Sequence, residues 1–285
     1  TRIENVGQLT NKGIEVMLRG NLVRSEDLDV NLTAMFSRNR NKVTDLAGGS
    51  RFAIGGFTSQ YAIEGEPLGV FYWRAYARDD NGDLLLTPEG LPQAERGDQT
   101  VQEETGDGAL RDASGQPTGA LLRIIVGDPN PDWTGSLITE ATYKKWGFRM
   151  QWDAVQGGDV MNWNRRNFDR HNYRGGFDYG REEKGEVQKG TANAKGSGLI
   201  LEEYVEDGSF IKLREIAVSY TFTPKTRVLR SVRINLAGRN LLSIDDYKNY
   251  DPEVTISGRN TGVRGFDFGT VPIPRTYSLG ATLTF

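Results

Sequence analysis

Residues 275–285 read Arg-Thr-Tyr-Ser-Leu-Gly-Ala-Thr-Leu-Thr-Phe, and they alternate almost without fault between apolar and small polar side chains. Successive side chains of an extended chain point to opposite faces, so this stretch has one apolar and one polar face. The apolar face carries Tyr277, Leu279, Ala281, Leu283 and Phe285. The stretch matches the ~9 to 11 residues that a tilted transmembrane strand needs. We therefore predict a β-strand with lipid on one side and a water-filled lumen on the other.

The overall composition hides this pattern. The chain has 285 residues, of which 37% are hydrophobic, and its mean hydropathy is −0.53. No apolar run approaches the ~18 residues of a transmembrane helix, so the sequence would ordinarily be classed as soluble. Barrel strands escape this criterion, because only every second residue faces lipid.

The scarce residue types exclude several functional classes. The chain has no cysteine, which excludes disulfides, thiolate metal sites and a cysteine nucleophile. It has one histidine, His171, whose neighbours do not suggest a metal site or a triad, so we interpret it as a loop residue. A net charge of −3 with both signs interspersed offers no field for nucleic acid. We predict no enzyme, no catalytic residue, no metal and no cofactor.

Period-two alternation marks further strands. It is clean over residues 13–20, 28–37, 146–154 and 231–240, and weaker over residues 68–77, 133–143 and 210–222. In the last segment the apolar phase changes near Glu215, which indicates a β-bulge. The polar faces carry several charged residues, namely Glu15, Arg19, Asp29, Arg149, Asp153, Arg233 and Arg239. Such faces suit a wide barrel that holds water or a polar plug.

Short and long connections alternate between these strands. Short links fall at residues 21–27, 144–145 and 223–230, and long ones at residues 78–132, 156–209, 241–273 and from residue 39 onward. Bacterial outer-membrane barrels have short periplasmic turns and long outer loops. Alternation of direction then requires one more descending strand, which we place at residues 57–64, before a tight turn at 65–67.

The strand count becomes about nine, whereas single-chain bacterial barrels have even numbers of strands. In a meander with an odd count, the first and last strands run in the same direction. We therefore expect that these strands do not close on each other, and that further strands and the filling of the lumen precede Thr1.

Several short motifs follow one another along the chain. They are ENVG at 4–7, NKGIE at 11–15, EGEPLG at 64–69 leading into Phe71 and Tyr72, GDPNPDW at 127–133, YVEDGSFIKLR at 204–214, GRNLL at 238–242, YDPE at 250–253 and PRTY at 274–277. With these motifs in this order, the chain resembles the SusC/RagA type of TonB-dependent outer-membrane transporter of Bacteroidota-like bacteria.

The resemblance implies that residues 1–285 are the carboxy-terminal portion of a barrel of about twenty-two strands. The plug, the segment that engages TonB and roughly the first half of the wall would then be absent. Members import glycans or peptides, usually with a SusD-like surface lipoprotein that lies over the barrel as a lid. One departure is that residues 111–117 lack most carboxylates of an acidic stretch found in many relatives, which weakens the case for a cation site there.

One long loop combines aromatic and basic residues. Flat rings can bury sugar C–H faces or peptide side chains, and guanidinium groups can pair with carboxylates. We predict that this loop lines the ligand chamber or meets the lid through Trp163, Arg165, Arg166, Phe168, Tyr173 and Tyr179. The open alternative is a loop that packs on its own neighbours.

Two acidic features receive structural interpretations. The stretch DDNGD at 79–83 resembles a calcium loop but lacks the bidentate glutamate, so we predict a hairpin turn on Asn81 and Gly82. Paired glutamates could suggest glycan hydrolysis, but neighbours in sequence point apart on a strand. We interpret three such pairs as solvated charge: Glu103 with Glu104, Glu182 with Glu183, and Glu202 with Glu203.

Aromatic residues on the apolar faces fit either interfacial girdles or the core of a soluble sandwich. They are Trp133, Tyr143, Trp146, Trp152 and Tyr220. Tyr143 and Trp146 flank a short turn, where strands would leave the membrane, which favours girdles. The final alternation, with Tyr277, Leu279, Leu283 and Phe285, also resembles the signal read by the barrel-assembly machinery.

The leading hypothesis is the outer-membrane barrel of an all-β, TonB-dependent importer of glycans or peptides. Its expected partners are a SusD-like lipoprotein, TonB through a region outside this chain, the barrel-assembly machinery and the lipid bilayer. One alternative is a soluble all-β carbohydrate-binding module whose apolar faces pack together in water. Another is a passive porin or a secretion-linked barrel, which would lack the plug.

Overall fold

The computed structural model describes residues 7–88, 90, 92–171, 200–225, 228–253, 255–256 and 264–285. Its strands are β1 (Gln8–Arg24), β2 (Leu28–Asp45), β3 (Arg51–Gly55), β4 (Gln60–Ile63), β5 (Val70–Trp73), β6 (Arg96–Gly97), β7 (Ala120–Leu121), β8 (Ile124–Gly127), β9 (Trp133–Tyr143), β10 (Trp146–Gln156), β11 (Asp159–Asn162), β12 (Val205–Asp207), β13 (Phe210–Phe222), β14 (Ser231–Asp245), β15 (Phe266–Asp267) and β16 (Thr276–Thr284). The α-helices are α1 (Gln99–Thr105) and α2 (Trp163–His171). Within these ranges, no helix has the length and apolar character to cross a bilayer.

In the described part of the chain, seven long strands form one antiparallel sheet, here called the wall, in the order β1-β2-β9-β10-β13-β14-β16. Short turns at residues 25–27, 144–145 and 223–230 join strands at one end. Long excursions, residues 46–132, 157–209 and 246–275, leave from the other end. The predicted alternation of short and long connections is confirmed.

The register of the wall confirms its two faces. Leu236 of β14 lies opposite Val218 of β13 and Leu279 of β16, which makes a continuous apolar row. Leu236 and Leu279 remain 58% and 77% exposed. A soluble sandwich must bury such apolar side chains between its two sheets, away from water. Their exposure contradicts that alternative, and the wall presents one apolar face outward, as a membrane barrel requires.

The predicted bulge near Glu215 is confirmed. The pairing of β13 shifts between Leu213 and Glu215 against β14, and Arg214 is the extra residue opposite β10. This extra residue explains the change of phase in the sequence, because one unpaired position moves the following side chains to the other face.

The prediction of about nine wall strands is wrong, because residues 57–64 and 68–77 do not enter the wall. They contribute β4 and β5 to a separate four-stranded sheet, β3-β4-β5-β8, inside the first excursion. Both faces of this sheet contact protein, and Ala62 and Phe71 are buried. Alternation alone cannot distinguish a loop sheet from a lipid-facing strand. The two strands form a hairpin, so the count stays odd and β1 and β16 still run in the same direction.

The long excursions pack against one another at the loop end of the wall. Five buried residues, here called the loop core, are Phe71, Met161, Leu201, Tyr204 and Phe266. The first comes from the excursion after β2, the next three from the excursion after β10, and the last from the excursion after β14. A smaller cluster joins Val43 of β2 to Ala62 of β4. The loops therefore form one packed layer attached to the wall.

Candidate functional site

Ion pairs cross the inner face of the wall. The Arg149 guanidinium on β10 donates to Glu140 Oε1 on β9 at 2.7 Å and to Glu215 Oε1 on β13 at 3.1 Å. Arg239 Nε on β14 donates to the other oxygen of Glu215 at 2.7 Å. Four neighbouring strands are thus joined by charges on the face opposite to the apolar one. This arrangement gives a polar, hydrated surface and matches the predicted lumen face.

The bulge at Arg214 attaches the third excursion to the wall. Arg214 donates to Asp153 Oδ2 at 2.8 Å and to Glu253 Oε1 at 2.7 Å. Lys212 pairs with Asp251 and, at 3.0 Å, with Glu253. The side chains of Lys212 and Asp251 are only 5% and 9% exposed. The YDPE motif therefore contacts the FIKLR motif directly, through a buried ionic joint.

A second joint lies at the GDPNPDW motif. The Asn130 side-chain amide donates to the Leu68 carbonyl at 3.0 Å and accepts a hydrogen bond from Asn41 at 3.0 Å. The Leu68 amide donates in turn to Asn41 Oδ1 at 2.6 Å. Asp128 holds the turn, because its carboxylate accepts from the Asn130 backbone amide at 2.9 Å. The motif thereby links β2, the EGEPLG turn and the start of β9.

Asp159, at the start of β11, lies beside this joint. Its carboxylate accepts the Asp128 amide at 2.7 Å. Burial raises the pKa of Asp159, and the negative charges of Asp128, Asp207 and Asp132 raise it further. The hydrogen bond from the Asp128 amide lowers this pKa, but the net effect is a rise. Holding this carboxylate ionised therefore works against folding.

Arg165 on α2 is engaged inside the loop layer. Its guanidinium donates to the Glu203 carbonyl at 2.8 Å and to Glu206 Oε1 at 3.1 Å, and it forms an ion pair with the Glu203 carboxylate. The Arg165 amide donates to Asn162 Oδ1 at 2.9 Å, which caps the start of α2. Arg165 is 5% exposed. It holds α2 against the segment before β12.

The aromatic members of the predicted ligand loop also pack within the loop layer. Trp163 stacks on Phe57 at 5.2 Å between ring centroids and lies 5.3 Å from Phe266 of the loop core. The Arg166 guanidinium lies 4.1 Å from the centre of the Trp163 ring. Phe168 is exposed. Tyr173 and Tyr179 lie outside the described residues.

The structure therefore brings Trp163 and Arg166 into contact and places Arg165 against Glu203 and Glu206, in the arrangement expected of a loop that packs on its own neighbours. Phe168 is the most exposed of the four described candidates. Ligand or lid contact by the six candidates stays a prediction.

The interpretation of Glu202 and Glu203 as solvated charge is wrong. Glu202 pairs with Arg78 at 2.6 Å and accepts the Tyr76 amide at 2.6 Å. Glu203 accepts the Tyr76 hydroxyl at 3.0 Å, in addition to its bonds with Arg165. Glu103 likewise pairs with Arg51. Glu202 and Glu203 thus connect the first and second excursions, and Glu103 connects two segments of the first excursion. The local sequence did not reveal these ion pairs.

The predicted turn at residues 79–83 is confirmed. The Gly82 amide donates to the Asp79 carbonyl at 3.0 Å, and the Asp79 carboxylate accepts the Asn81 amide at 2.9 Å. Gly82 has φ +88°, a left-handed conformation that favours glycine.

Two cavities flank this framework. One, of about 630 Å³, lies on the inner face and is lined in part by Met17, Met35, Phe210, Asp153 and Arg214. The other, of about 820 Å³, lies within the first excursion and is lined in part by Arg51, Ile63, Tyr72, Glu103 and Ile124. Both are large enough for a small ligand. Sequence reasoning missed the second, because its lining comes from segments that are far apart in the chain.

No protein-family model matches the chain. The chain is 28% identical to TonB-dependent receptor P3 of Formosa agariphila, over 100% of this chain and 30% of that receptor. It is 23% identical to TonB-dependent receptor SusC of Bacteroides thetaiotaomicron, over 99% of this chain and 27% of SusC. These relatives are named as receptors and not as enzymes.

Solved structures show the same fold. The RagAB peptide importer in its "closed-closed" state gives a TM-score of 0.71 at 21% identity, over 99% of this chain and 30% of that chain. Its "open-open" state gives 0.68 at 19% identity, over 99% of this chain and 29% of that chain. The chain thus spans about 30% of the length of the first curated relatives. The expected resemblance is confirmed: over its whole length, the chain resembles the carboxy-terminal part of the barrel of SusC/RagA-type TonB-dependent receptors.

Proposed function

We propose that this chain is the carboxy-terminal barrel portion of an outer-membrane importer that takes up glycans or peptides with energy from TonB. The observation that carries the proposal is the wall, whose seven strands present an apolar face outward and an ion-paired face inward. A membrane barrel with a wet lumen uses both faces in this way, with lipid against the apolar one. The names of the relatives support the TonB-dependent class over a passive porin.

The proposal gives each part of the chain a role. The wall contacts lipid, the loop layer contributes to the ligand chamber, and the inner face meets a plug that lies outside this chain. A SusD-like lipoprotein would cover the loop layer as a lid, where Phe168 is exposed. The barrel-assembly machinery would read the final strand through Tyr277, Leu279, Leu283 and Phe285.

Uptake experiments test the importer. A strain lacking the gene is grown on single glycans and peptide mixtures as sole carbon source, beside a strain lacking TonB. We expect both strains to lose growth on the same substrate and to recover it on glucose. Growth that is lost without the gene but kept without TonB would instead support a passive porin.

Co-purification tests the lipoprotein partner. An affinity tag on the transporter should retain a SusD-like lipoprotein in mild detergent, in equal amount to the transporter. A tagged, unrelated barrel from the same membrane is the control. Recovery of the transporter alone, at every detergent concentration that keeps the barrel folded, would contradict the partnership.

A further inference from the structure

Two arginines lie beside the last pair of the β5–β8 ladder. Trp73 pairs with Ile124, Arg74 directly follows Trp73 and Arg123 directly precedes Ile124. The two charges lie close enough for Arg123 to lower the pKa of Arg74, and neighbouring like charges are unfavourable. Two neighbouring guanidinium groups therefore need a compensating anion.

The protein supplies no such anion within the described residues. No acidic group of the described residues acts on Arg74, and its Nε is withdrawn from solvent without a hydrogen-bond acceptor. Buried polar groups in native proteins nearly always have a partner. Burial and the charge of Arg123 both lower the pKa of Arg74, as expected for a cation that lacks one.

The surroundings of the pair suit an organic anion. The Arg123 guanidinium lies 4.5 Å from the centre of the Trp73 ring, and its Nη1 lies 3.5 Å from the Tyr61 hydroxyl. Tyr61 packs edge-on against Tyr72, with 5.3 Å between the ring centroids. A ligand beside the pair could thus place its acidic group toward the arginines and its apolar faces against these rings.

We propose that Arg74 and Arg123 bind the carboxylate or sulfate group of a small ligand, beside Trp73 and Tyr61. Guanidinium groups bind such planar or tetrahedral anions through paired, charge-assisted hydrogen bonds. The acidic group could belong to an acidic sugar or to a peptide C-terminus. Assigning that ligand to import rests on the proposed function, whereas the binding itself does not.

Titration calorimetry on the detergent-solubilised protein tests the site. The probes are sodium sulfate, cellobiuronic acid against cellobiose, and trialanine against trialanine amide. We expect at least one anionic probe to bind about tenfold or more tightly than its neutral counterpart, or sulfate to bind measurably. Preference for the acidic disaccharide would indicate an acidic glycan, and preference for trialanine a peptide C-terminus.

Variants separate this site from general charge effects. Arg74→Gln and Arg123→Gln should each weaken binding about tenfold or more, and Lys at either position should weaken it less. Arg96→Gln is the matched control, because Arg96 is exposed and donates to the Gly119 carbonyl. No anion preference, or equal weakening by Arg96→Gln, would overturn the proposal. Binding that persists without TonB-dependent uptake would count against the proposed function alone.

Discussion

Leu236 and Arg233 lie three positions apart on β14 but face different surroundings. Leu236 belongs to the outer apolar row, whereas Arg233 points inward and donates to Ser219 Oγ at 2.8 Å. If Leu236 lies near the middle of the bilayer, Leu236→Arg should lower the free energy of unfolding by ~2 to 4 kcal/mol. Arg233→Gln should lower it far less. Urea titration in liposomes measures both, and equal losses would overturn the assignment of faces.

The buried Lys212–Asp251 pair should matter more for stability than an exposed pair. Lys212→Met leaves Asp251 buried without its cation, which costs ~3 to 5 kcal/mol in comparable cases. Lys144 and Asp27 form the matched control, because both side chains are more than half exposed. Lys144→Met should change stability by less than ~1 kcal/mol. Limited proteolysis of the loops during heating measures the unfolding temperature of both variants. Similar decreases for Lys212→Met and Lys144→Met would contradict a stabilising role of the buried Lys212–Asp251 pair.

Asp159 should make stability depend on pH. Its folded-state pKa is raised, so the folded protein binds the proton more readily and stability falls as pH rises from ~3.9 through the raised value. Asp159→Asn should therefore be more stable than the wild type at pH 7, and the difference should disappear in acid. Melting curves from pH 3 to 8 measure this. Asp80→Asn, in the exposed turn, is the control; a less stable Asp159→Asn at pH 7 would refute the prediction.

The sequence predicted the face to which a single side chain points, but not the residues that it contacts. Alternation placed Leu279 outward and Arg149 inward, because that depends only on the pleat. The pairing of Glu202 with Arg78 was not predictable, since the two residues lie more than a hundred positions apart in the sequence. The burial of Arg165 was missed because its partners Glu203 and Glu206 lie 38 and 41 residues along the chain.

Among the strands, β13 shows what a local pattern can reveal. The change of apolar phase near Glu215 located the bulge, because one extra residue moves all the following apolar side chains to the opposite position in the alternation. The patterns of β4 and β5 misled, because a short apolar segment does not distinguish a strand packed within the loops from a wall strand. The sequence of a strand thus predicts which side chains share a face. The sheet that the strand joins depends on partner strands that are distant in the sequence.

Deleting Arg214 should disrupt the loop end of β13. Without the extra residue, positions 210–213 must either change faces or slide by one, which removes Lys212 from Asp251. Arg214→Ala keeps the bulge and loses only two ion pairs, so it is the control. Heat-modifiable migration on SDS gels reports folding. We expect the deletion to lose the fast-migrating folded form and the alanine variant to keep it; the opposite result would contradict the bulge as a requirement.

The five tryptophans of the chain lie in two different environments. Trp133, Trp146 and Trp152 lie on the outer face of the wall, whereas Trp73 and Trp163 pack against the loop core. In liposomes, brominated lipids should quench the fluorescence of the first three and not of the last two. Variants that retain one tryptophan each, with phenylalanine at the other positions, allow the measurement. Quenching of Trp163 alone would overturn the orientation of the wall and loops.

The joints between motifs have a consequence for how the chain folds. Wall neighbours joined by short turns are local hairpins, such as β9 with β10, which close with little loss of chain entropy. The contacts of Asn130 with Asn41 and of Lys212 with Asp251 span 89 and 39 residues. Contacts of such long sequence separation form slowly. Hairpin formation should therefore precede the loop joints, and a chain caught between these steps would have strands in place but an unsealed outer surface.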